Sequence, residues 1–492
     1  MNPASPKQAT LLQALIPILS LILLLFASSR LFGSDSSYGP NQIALILCAC
    51  IGILIGLKNG YSWKDMETAM VKGISLSMGA VFILLVVGSL IGTWILSGIV
   101  PTMIYYGLDI MNPSYFFMAS CLICAFIALA TGSSWTTVST IGIALVGIAG
   151  AMNLNLGLTA GAVISGAYFG DKLSPLSDTT NLAPAMAGTD LFTHIRHMLW
   201  TTIPSMIIAC ILFLCFGFFN DTPQNPESIL AIQTAIKDQF NIGPHLLLPL
   251  GLVLFLVYKK VPAFPALLIG SLVGCLFAIL FQADTVQRIA GADLPYWAAC
   301  IKAPWTAMFG EFTLNSDNEA LQKLLNGRGG MASMHNTVWL IISAMMFGAV
   351  MESTGMLEAV AKKILSMAKS TGSLITSTLL TSIGMNVIAS DQYIAIVIPG
   401  RMFRAEFIKR GLAPKNLSRC LEDAGTLTSP LVPWNTCGAF MAQTLQVATI
   451  TYLPFCFFNL LNPLISSVYG FTGFTIEKLD PNEVVESIEV AD

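Results

Sequence analysis

The residues best suited to chemistry stand in one apolar stretch, GAVISGAYFGDKLSPLSDTTNLAPAMAGTD, at positions 161–190. It combines the carboxylates Asp171 and Asp178 with Lys172 and with four oxygen-bearing side chains, those of Ser174, Thr179, Thr180 and Asn181. Pro175 has no backbone N–H and interrupts a helix, so nearby carbonyl oxygens lose their partners. Unwound carbonyls, hydroxyls and carboxylates are suitable ligands for a dehydrated Na⁺. The stretch therefore predicts a cation site.

Three further segments offer the same kinds of oxygen atoms. The triplet Ser-Pro-Leu recurs at 429–431, in a segment that carries Asp423, Ser429, Asn435 and Thr436. Two polar breaks between apolar runs, TGSSWTT at 131–137 and NVIASDQY at 386–393, add Ser133, Ser134, Thr136, Thr137, Asn386, Ser390 and Asp391. We expect these segments to meet at helix ends, whose partial charges interact with ions. Small polar residues also allow helices to pack closely, which is the alternative role of any single Ser or Thr here.

Four carboxylates are the most informative residues, because an ionised group at membrane depth costs at least about 2.5 kcal/mol. Burial raises the pKa of a carboxyl group above about 3.9, so a proton and a cation can compete for it near neutral pH. We rank Asp178 and Asp171 first as groups that bind H⁺ or Na⁺, then Asp391, then Asp423. Two alternatives stay open. Asp171 could pair with Lys172 or cap a helix end, and Asp423 could be a solvated charge at the cytoplasmic end.

The composition is that of a membrane protein. Of 492 residues, 55% are hydrophobic and 10% are charged, against about 25% charged in soluble proteins. Since about 20 apolar residues span a bilayer as a helix, we predict an all-α polytopic membrane protein. Its predicted helical runs are 11–32, 41–57, 73–99, 114–131, 136–152, 156–170, 197–219, 243–258, 262–281, 336–356, 373–388, 392–408, 417–448 (interrupted) and 450–470.

An internal repeat organises these runs. The two Ser-Pro-Leu triplets begin at Ser174 and Ser429, 255 residues apart, and nearly the same shift superposes the two polar breaks. It also aligns Asp178 with Pro433. We predict a first repeat at 1–220 (hairpin 114–152, interrupted helix 156–190), a connection at 221–242, a second repeat at 243–472 (hairpin 373–408, interrupted helix 417–448) and a polar tail at 473–492. The long connection 282–335 is predicted to be interfacial or extramembrane.

The placement of Lys and Arg predicts the topology. If each hairpin is re-entrant, each repeat crosses five times and the second is inverted relative to the first. With both termini cytoplasmic, the basic segments 58–72 and 401–419 then lie on the cytoplasmic side, as the positive-inside rule requires. The first apolar run lacks a convincing cleavage site and is predicted to be a retained helix.

Several function classes are not favoured. The chain has no GxxxxGK[ST] phosphate loop, no Ser-His-Asp arrangement and no Cys/His spacing typical of a metal centre. Its eleven cysteines are scattered, mostly in apolar runs, where they act as small core residues. We expect no enzymatic activity, no resident cofactor and no nucleic-acid partner.

The run GDKLSPLSDTTNLAP resembles the NhaC family of Na⁺/H⁺ antiporters, a branch of the ion transporter superfamily, and TGSSWTT and SPLVPWNTCGAF support the resemblance. The resemblance covers nearly the whole chain. It implies Na⁺/H⁺ exchange in the cytoplasmic membrane, by inverted repeats with two hairpins and two interrupted helices. Superfamily analogy adds a homodimer with a fixed scaffold and a moving transport domain.

The same resemblance leaves one alternative, because the family includes an exchanger of malate with lactate coupled to Na⁺ and H⁺. A dicarboxylate needs Arg or Lys near its site. Lys172 is the one cation that the sequence places at membrane depth, and it would bind the anion. A single such residue favours plain cation exchange.

Overall fold

A computed structural model of the protein describes residues 6–479, except 33–35, 37, 220–225, 315–317, 319–320 and 323–324. Part of the predicted 221–242 connection and most of the polar tail lie outside this range. The described residues are mainly helical, with two isolated β-bridges and no β-strand.

The first half of the chain contains the helices Leu11–Phe32, Pro40–Lys58, Trp63–Leu96, Ile99–Ile110, Pro113–Thr131, Ser134–Ala151, Leu156–Leu173, Asp178–Ala187 and Leu191–Phe218. The helices Pro226–Gln239, Leu248–Tyr258, Ala263–Phe281, Ala283–Ala290 and Tyr296–Phe309 follow. The remainder consists of His335–Ser353, Met356–Ser366, Thr371–Ile388, Gln392–Lys409, Pro414–Leu421, Thr436–Leu445, Thr449–Tyr452 and Phe457–Thr472.

Eight of the described helices are long and apolar enough to cross a bilayer, or nine if one bent pair counts as a span. Large apolar side chains such as Leu12, Phe26 and Phe126 are exposed on them, as expected of a surface that faces lipid. The predicted all-α polytopic membrane protein is confirmed. Re-entry of the hairpins and inversion of one half stay predictions.

The predicted run at 73–99 differs in its bounds from the structure. The run expected at 73–99 is a helix from Trp63 to Leu96, because Ser62 caps its amphipathic first turns and accepts a hydrogen bond from Asp65 N at 3.2 Å. Gly98, with φ 76°, then turns the chain into the helix Ile99–Ile110, which the apolar pattern does not predict. Gly355, with φ 74°, makes the equivalent turn between the helices His335–Ser353 and Met356–Ser366.

Both halves contain a helical hairpin followed by a broken helix. Hairpin 1 is Pro113–Thr131 with Ser134–Ala151, and hairpin 2 is Thr371–Ile388 with Gln392–Lys409. Broken helix 1 is Leu156–Leu173 with Asp178–Ala187. Broken helix 2 runs from Pro414–Leu421 through the π-helical turn Glu422–Thr426 and the 3-10 turn Ser429–Leu431 to Thr436–Leu445.

The second break is the longer one. Asp178 and Thr436 each begin the second segment of a broken helix. By its position at a helix start Asp178 matches Thr436, whereas the predicted repeat aligns it with Pro433; the repeat itself stays a prediction. The two Ser-Pro-Leu triplets also differ in structure: Ser174 ends a helix, whereas Ser429 begins a 3-10 turn.

The helices form two packed groups. The scaffold group comprises Leu11–Phe32, Pro40–Lys58, Trp63–Leu96, Ala263–Phe281, Tyr296–Phe309 and His335–Ser353. The hairpin group comprises both hairpins, both broken helices, Leu191–Phe218 and Phe457–Thr472. Within it, a Cβ at Gly166 or Gly170 would lie 2.0 or 2.3 Å from a backbone oxygen of hairpin 1, so glycine is required for this close packing.

Candidate functional site

A cavity of about 340 Å³ lies between the two helix groups. Residues of the stretch 76–83 form the side of the cavity that faces the scaffold group. The opposite side is formed by both hairpin tips and both broken helices. It brings together seven of the predicted site residues: Asp171, Asp178, Asp391, Thr179, Thr436, Ser133 and Ser134. Ser77, Ser177, Gln392 and Tyr393 are further polar residues of the lining.

Four helices begin at this cavity, and side chains cap three of them. Ser133 accepts from Thr136 N at 3.2 Å, and Asn435 accepts from Cys437 N at 3.0 Å. The carboxylate of Asp391 accepts from two backbone N–H groups of its helix, at 2.9 and 3.2 Å. The fourth helix begins at Asp178. Helix N-termini carry partial positive charge, so they stabilise the negative charge of carboxylates at this position.

Asp171 anchors hairpin 1 to broken helix 1. Its Oδ2 accepts hydrogen bonds from the hydroxyl of Ser134 at 2.6 Å and from the N–H of Ser134 at 3.2 Å. The residue is 8% exposed. Of the two alternatives considered for Asp171, the pair with Lys172 is wrong. Asp171 does cap a helix end, but the helix it caps is the one that begins at Ser134, not its own.

The tip of hairpin 1 is pressed against the break. Gly132 has φ 70°, and a Cβ on it would lie 2.6 Å from Cβ of Leu176, a residue of the break. Ser390 takes the same left-handed conformation at the tip of hairpin 2, with φ 61°, and its carbonyl accepts from Thr436 N at 3.0 Å. Each tip is thus fixed to the broken helix of its own half.

The three cavity carboxylates differ in exposure. Asp171 and Asp391 are buried, each 8% exposed, as expected of groups at membrane depth. Asp178 is exposed at the start of its helix, which differs from the predicted burial. It is therefore the lining carboxylate most accessible to water.

Lys172 lies outside the cavity. Its Nζ forms an ion pair with Asp423 and donates to Asn462 Oδ1 at 2.9 Å, and both charged side chains are fully buried. Asp423 also accepts from Thr201 Oγ1 at 3.1 Å, so the alternative of a solvated Asp423 is wrong. Arg419, predicted in a basic cytoplasmic segment, is fully buried beside this pair. Lys172 is therefore not the only buried cation.

The other predicted site residues stabilise the unwound backbone. Thr180 donates to the carbonyls of Asp171 and Lys172 at 3.2 and 3.1 Å. Asn386 Nδ2 donates to the Gly425 carbonyl at 2.7 Å and accepts from Asn435 on Oδ1 at 3.1 Å. Hydrogen bonds to nearby backbone or hydroxyl groups also involve Ser174, Asn181, Ser429, Thr136 and Thr137.

Sequence reasoning misses the scaffold side of the cavity and two aromatic residues. Ser77, Gly79 and Ala80 belong to the apolar run of Trp63–Leu96, where nothing distinguishes them from packing residues. Trp135 and Tyr393 stand inside the two polar breaks that mark the hairpin tips. That position is the signal that could identify them.

The sequence model of the Na⁺/H⁺ antiporter family matches residues 166–474. The chain is 41% identical to a Na⁺/H⁺ antiporter, NhaC, of Alkalihalophilus pseudofirmus, over 89% of this chain and 91% of that one. It is 38% identical to a malate-2H⁺/Na⁺-lactate antiporter of Bacillus subtilis, over 88% and 90% of the two chains. Among solved structures, the YdaH transporter of Alcanivorax borkumensis superposes with a TM-score of 0.37 at 14% identity, covering 94% of this chain and 99% of that one.

Proposed function

The chain belongs to the Na⁺/H⁺ antiporter family, and from this premise we propose that it exchanges Na⁺ for H⁺ across the membrane. The lining of the cavity carries the proposal. Asp171, Asp178 and Asp391 contribute three carboxylates, and none of the described lining residues is Lys, Arg or His. The charged side chains of the lining are all negative, so they attract cations, although the four helix N-termini offset part of that charge.

The same carboxylates can hold either ion. A proton on a carboxyl group removes the charge that a cation needs, so Na⁺ and H⁺ compete for the group. We assign this exchange to Asp178 and Asp171 first, with Asp391 as the third carboxylate. The hydroxyls of Ser133, Thr179 and Thr436, which also line the cavity, are neutral oxygen donors for Na⁺.

In the proposed cycle, the site opens to the outside, releases Na⁺ and takes up H⁺. When open to the inside, it releases H⁺ and binds Na⁺. The direction, Na⁺ outward and H⁺ inward, follows from an inward proton gradient. The position of the cavity between the scaffold group and the hairpin group supports alternating access, because relative movement of the two groups would expose it to each side in turn.

The remaining parts of the proposal concern the assembly. We place the protein in the cytoplasmic membrane with both termini in the cytoplasm. Its repeats, 1–220 and 243–472, would be inverted, and two copies would associate as a homodimer with a fixed scaffold group. Na⁺ is the cargo in this scheme, which requires neither a resident cofactor nor a catalysed reaction.

Exchange of organic anions, as named for the Bacillus subtilis relative, is the second candidate. The cavity volume of about 340 Å³ favours it, since Na⁺ alone needs less space. Two observations disfavour it. First, Lys172 is ion-paired to Asp423 outside the cavity. Second, carboxylates of the protein already cap two of the helix N-termini at the cavity. Asp171 caps the helix that begins at Ser134, and Asp391 caps the helix that follows it in the chain.

Proteoliposomes with an entrapped pH dye test the proposal. A pulse of Na⁺ alone should change the internal pH in a saturable way, and added malate or lactate should leave the response unaltered. A response that requires one of these carboxylates would identify an organic-anion exchanger and would overturn plain Na⁺/H⁺ exchange.

A further inference from the structure

We propose that Glu422 is a proton-binding site separate from the cavity carboxylates, connected to the cavity by the hydroxyls of Thr179 and Ser177. This inference rests on the proposed Na⁺/H⁺ exchange and specifies where one proton is held. Glu422 does not line the cavity, so a proton can reach it along hydroxyl groups, whereas Na⁺ cannot.

Glu422 lies where broken helix 2 departs from α-helical geometry. It is the first residue of the π-helical turn Glu422–Thr426, and its side chain is fully buried. Short π-helical turns inside α-helices are frequent at functional sites. The contacts of the carboxyl group indicate which ligand this position takes.

Only one oxygen of the Glu422 carboxyl group is hydrogen-bonded. Oε1 accepts from Thr179 Oγ1 at 3.0 Å. Oε2 is buried and has no hydrogen-bond partner among the described residues, and no ion pair joins Glu422 to a described Lys or Arg. A buried carboxylate oxygen without a partner is costly while the group is ionised. A proton on Glu422 removes that charge.

The surrounding charges keep the ionised state accessible as well. Lys172 and Asp171 of broken helix 1 act on Glu422 electrostatically, and Arg419 and Asp423 are buried on its own helix. When Glu422 is ionised and Asp171 is neutral, the buried charges of Lys172, Arg419, Asp423 and Glu422 balance, and a proton on Glu422 leaves one excess positive charge. When Asp171 is ionised, ionised Glu422 leaves one excess negative charge, and a proton on Glu422 removes it. Both protonation states thus have a cost, which suits a group that gains and loses a proton.

A short chain of hydroxyls leads from the cavity to Glu422. Ser177 and Thr179 both line the cavity, and their hydroxyl oxygens lie 3.2 Å apart. A hydroxyl can donate and accept at the same time. Thr179 Oγ1 passes its proton to Glu422 Oε1 and takes one from Ser177, which in turn takes a proton from a hydronium ion in the cavity and leaves a water molecule. Neither hydroxyl keeps a charge, and the carboxylate becomes a carboxylic acid.

Proton release on Na⁺ binding tests this inference with the purified full-length protein in weakly buffered detergent solution. Glu422→Gln, which mimics the protonated state, should release about one proton fewer per protein on Na⁺ binding and, by linkage, should bind Na⁺ at least about tenfold more weakly than wild type. Glu352→Gln, at an exposed position near the end of a scaffold helix, is the matched control and should release the wild-type number. An unchanged proton count in a folded Glu422→Gln protein would overturn the inference.

Thr179→Val keeps the carboxylate and removes the connecting hydroxyl, so it provides a test even if Glu422→Gln fails to fold. Stopped-flow measurement at Na⁺ concentrations that saturate each protein should show proton release at least about tenfold slower than in wild type. Release at the wild-type rate would exclude this path. Absence of any Na⁺-linked proton release in wild type would contradict the proposed exchange itself, whereas normal wild-type release with unchanged variants would overturn only the role of Glu422.

Discussion

Asp171 of broken helix 1 and Ser134 at the tip of hairpin 1 are joined by two hydrogen bonds to the same carboxylate oxygen, Oδ2. One comes from the hydroxyl at 2.6 Å and the other from the backbone N–H at 3.2 Å. A cavity carboxylate therefore also joins the tip of hairpin 1 to the first segment of broken helix 1.

Asp171→Asn should abolish Na⁺-driven proton flux because the amide cannot exchange a proton for a cation. It should also lower the free energy of unfolding by about 1.5–3 kcal/mol, the contribution of a hydrogen bond to a charged group. Flux in proteoliposomes and unfolding in detergent measure the two effects. Ser134→Ala is the control, since it keeps the charge and one bond and should keep exchange. Wild-type flux in Asp171→Asn would exclude Asp171 as an exchange group.

Asp423→Asn should destabilise the protein by about 3–5 kcal/mol, because it leaves the buried ammonium of Lys172 without its counter-charge. The double variant Lys172→Met, Asp423→Asn removes both charges and should recover most of that loss. Unfolding of the purified variants in detergent measures both free energies. If the double variant were as unstable as Asp423→Asn alone, the ion pair would not be the cause.

Gly132→Ala should disrupt exchange without changing any charge. Its Cβ would meet Leu176 at 2.6 Å and its φ of 70° is unfavourable for alanine, so the hairpin tip must move away from the break. Gly384→Ala is the matched control in hairpin 2: no atom lies within 4 Å of its Cβ position, so exchange should be unchanged. Na⁺-driven flux of the two variants should differ by more than about tenfold. Equal activity would show that the tip contact is dispensable.

The apparent affinity for Na⁺ should fall as the pH falls. Protonation removes the carboxylate charge that holds Na⁺, so where the site is mostly protonated each pH unit should raise the Na⁺ concentration at half-maximal flux by about tenfold. The maximal flux should be regained at saturating Na⁺. A half-maximal concentration independent of pH would mean that the two ions do not share a site.

The sequence predicts the helices and both breaks well, because apolar runs of membrane length and prolines determine them locally. It also predicts seven of the cavity residues from their position at polar interruptions. Composition cannot show that Lys172 pairs with Asp423, since 251 positions separate the two residues along the chain. Nor does the sequence distinguish Asp178, which is exposed, from Asp171, which is buried.

The repeat register illustrates a second limit. Matching triplets align Asp178 with Pro433, whereas by helix start Asp178 matches Thr436, because the π-helical and 3-10 turns lengthen the break of broken helix 2. Unwound segments have no fixed periodicity, and pattern matching therefore fails where the backbone leaves the helix. Functional groups such as Glu422 lie in these segments.

The most direct test of the account is Na⁺-driven proton flux in proteoliposomes that contain Asp178→Asn, measured beside wild type and Glu352→Gln. We expect saturable flux for wild type and Glu352→Gln, and no flux above empty liposomes for Asp178→Asn, which should remain folded because its side chain is exposed. Full activity of Asp178→Asn would contradict the assignment of Asp178 as a principal exchange carboxylate.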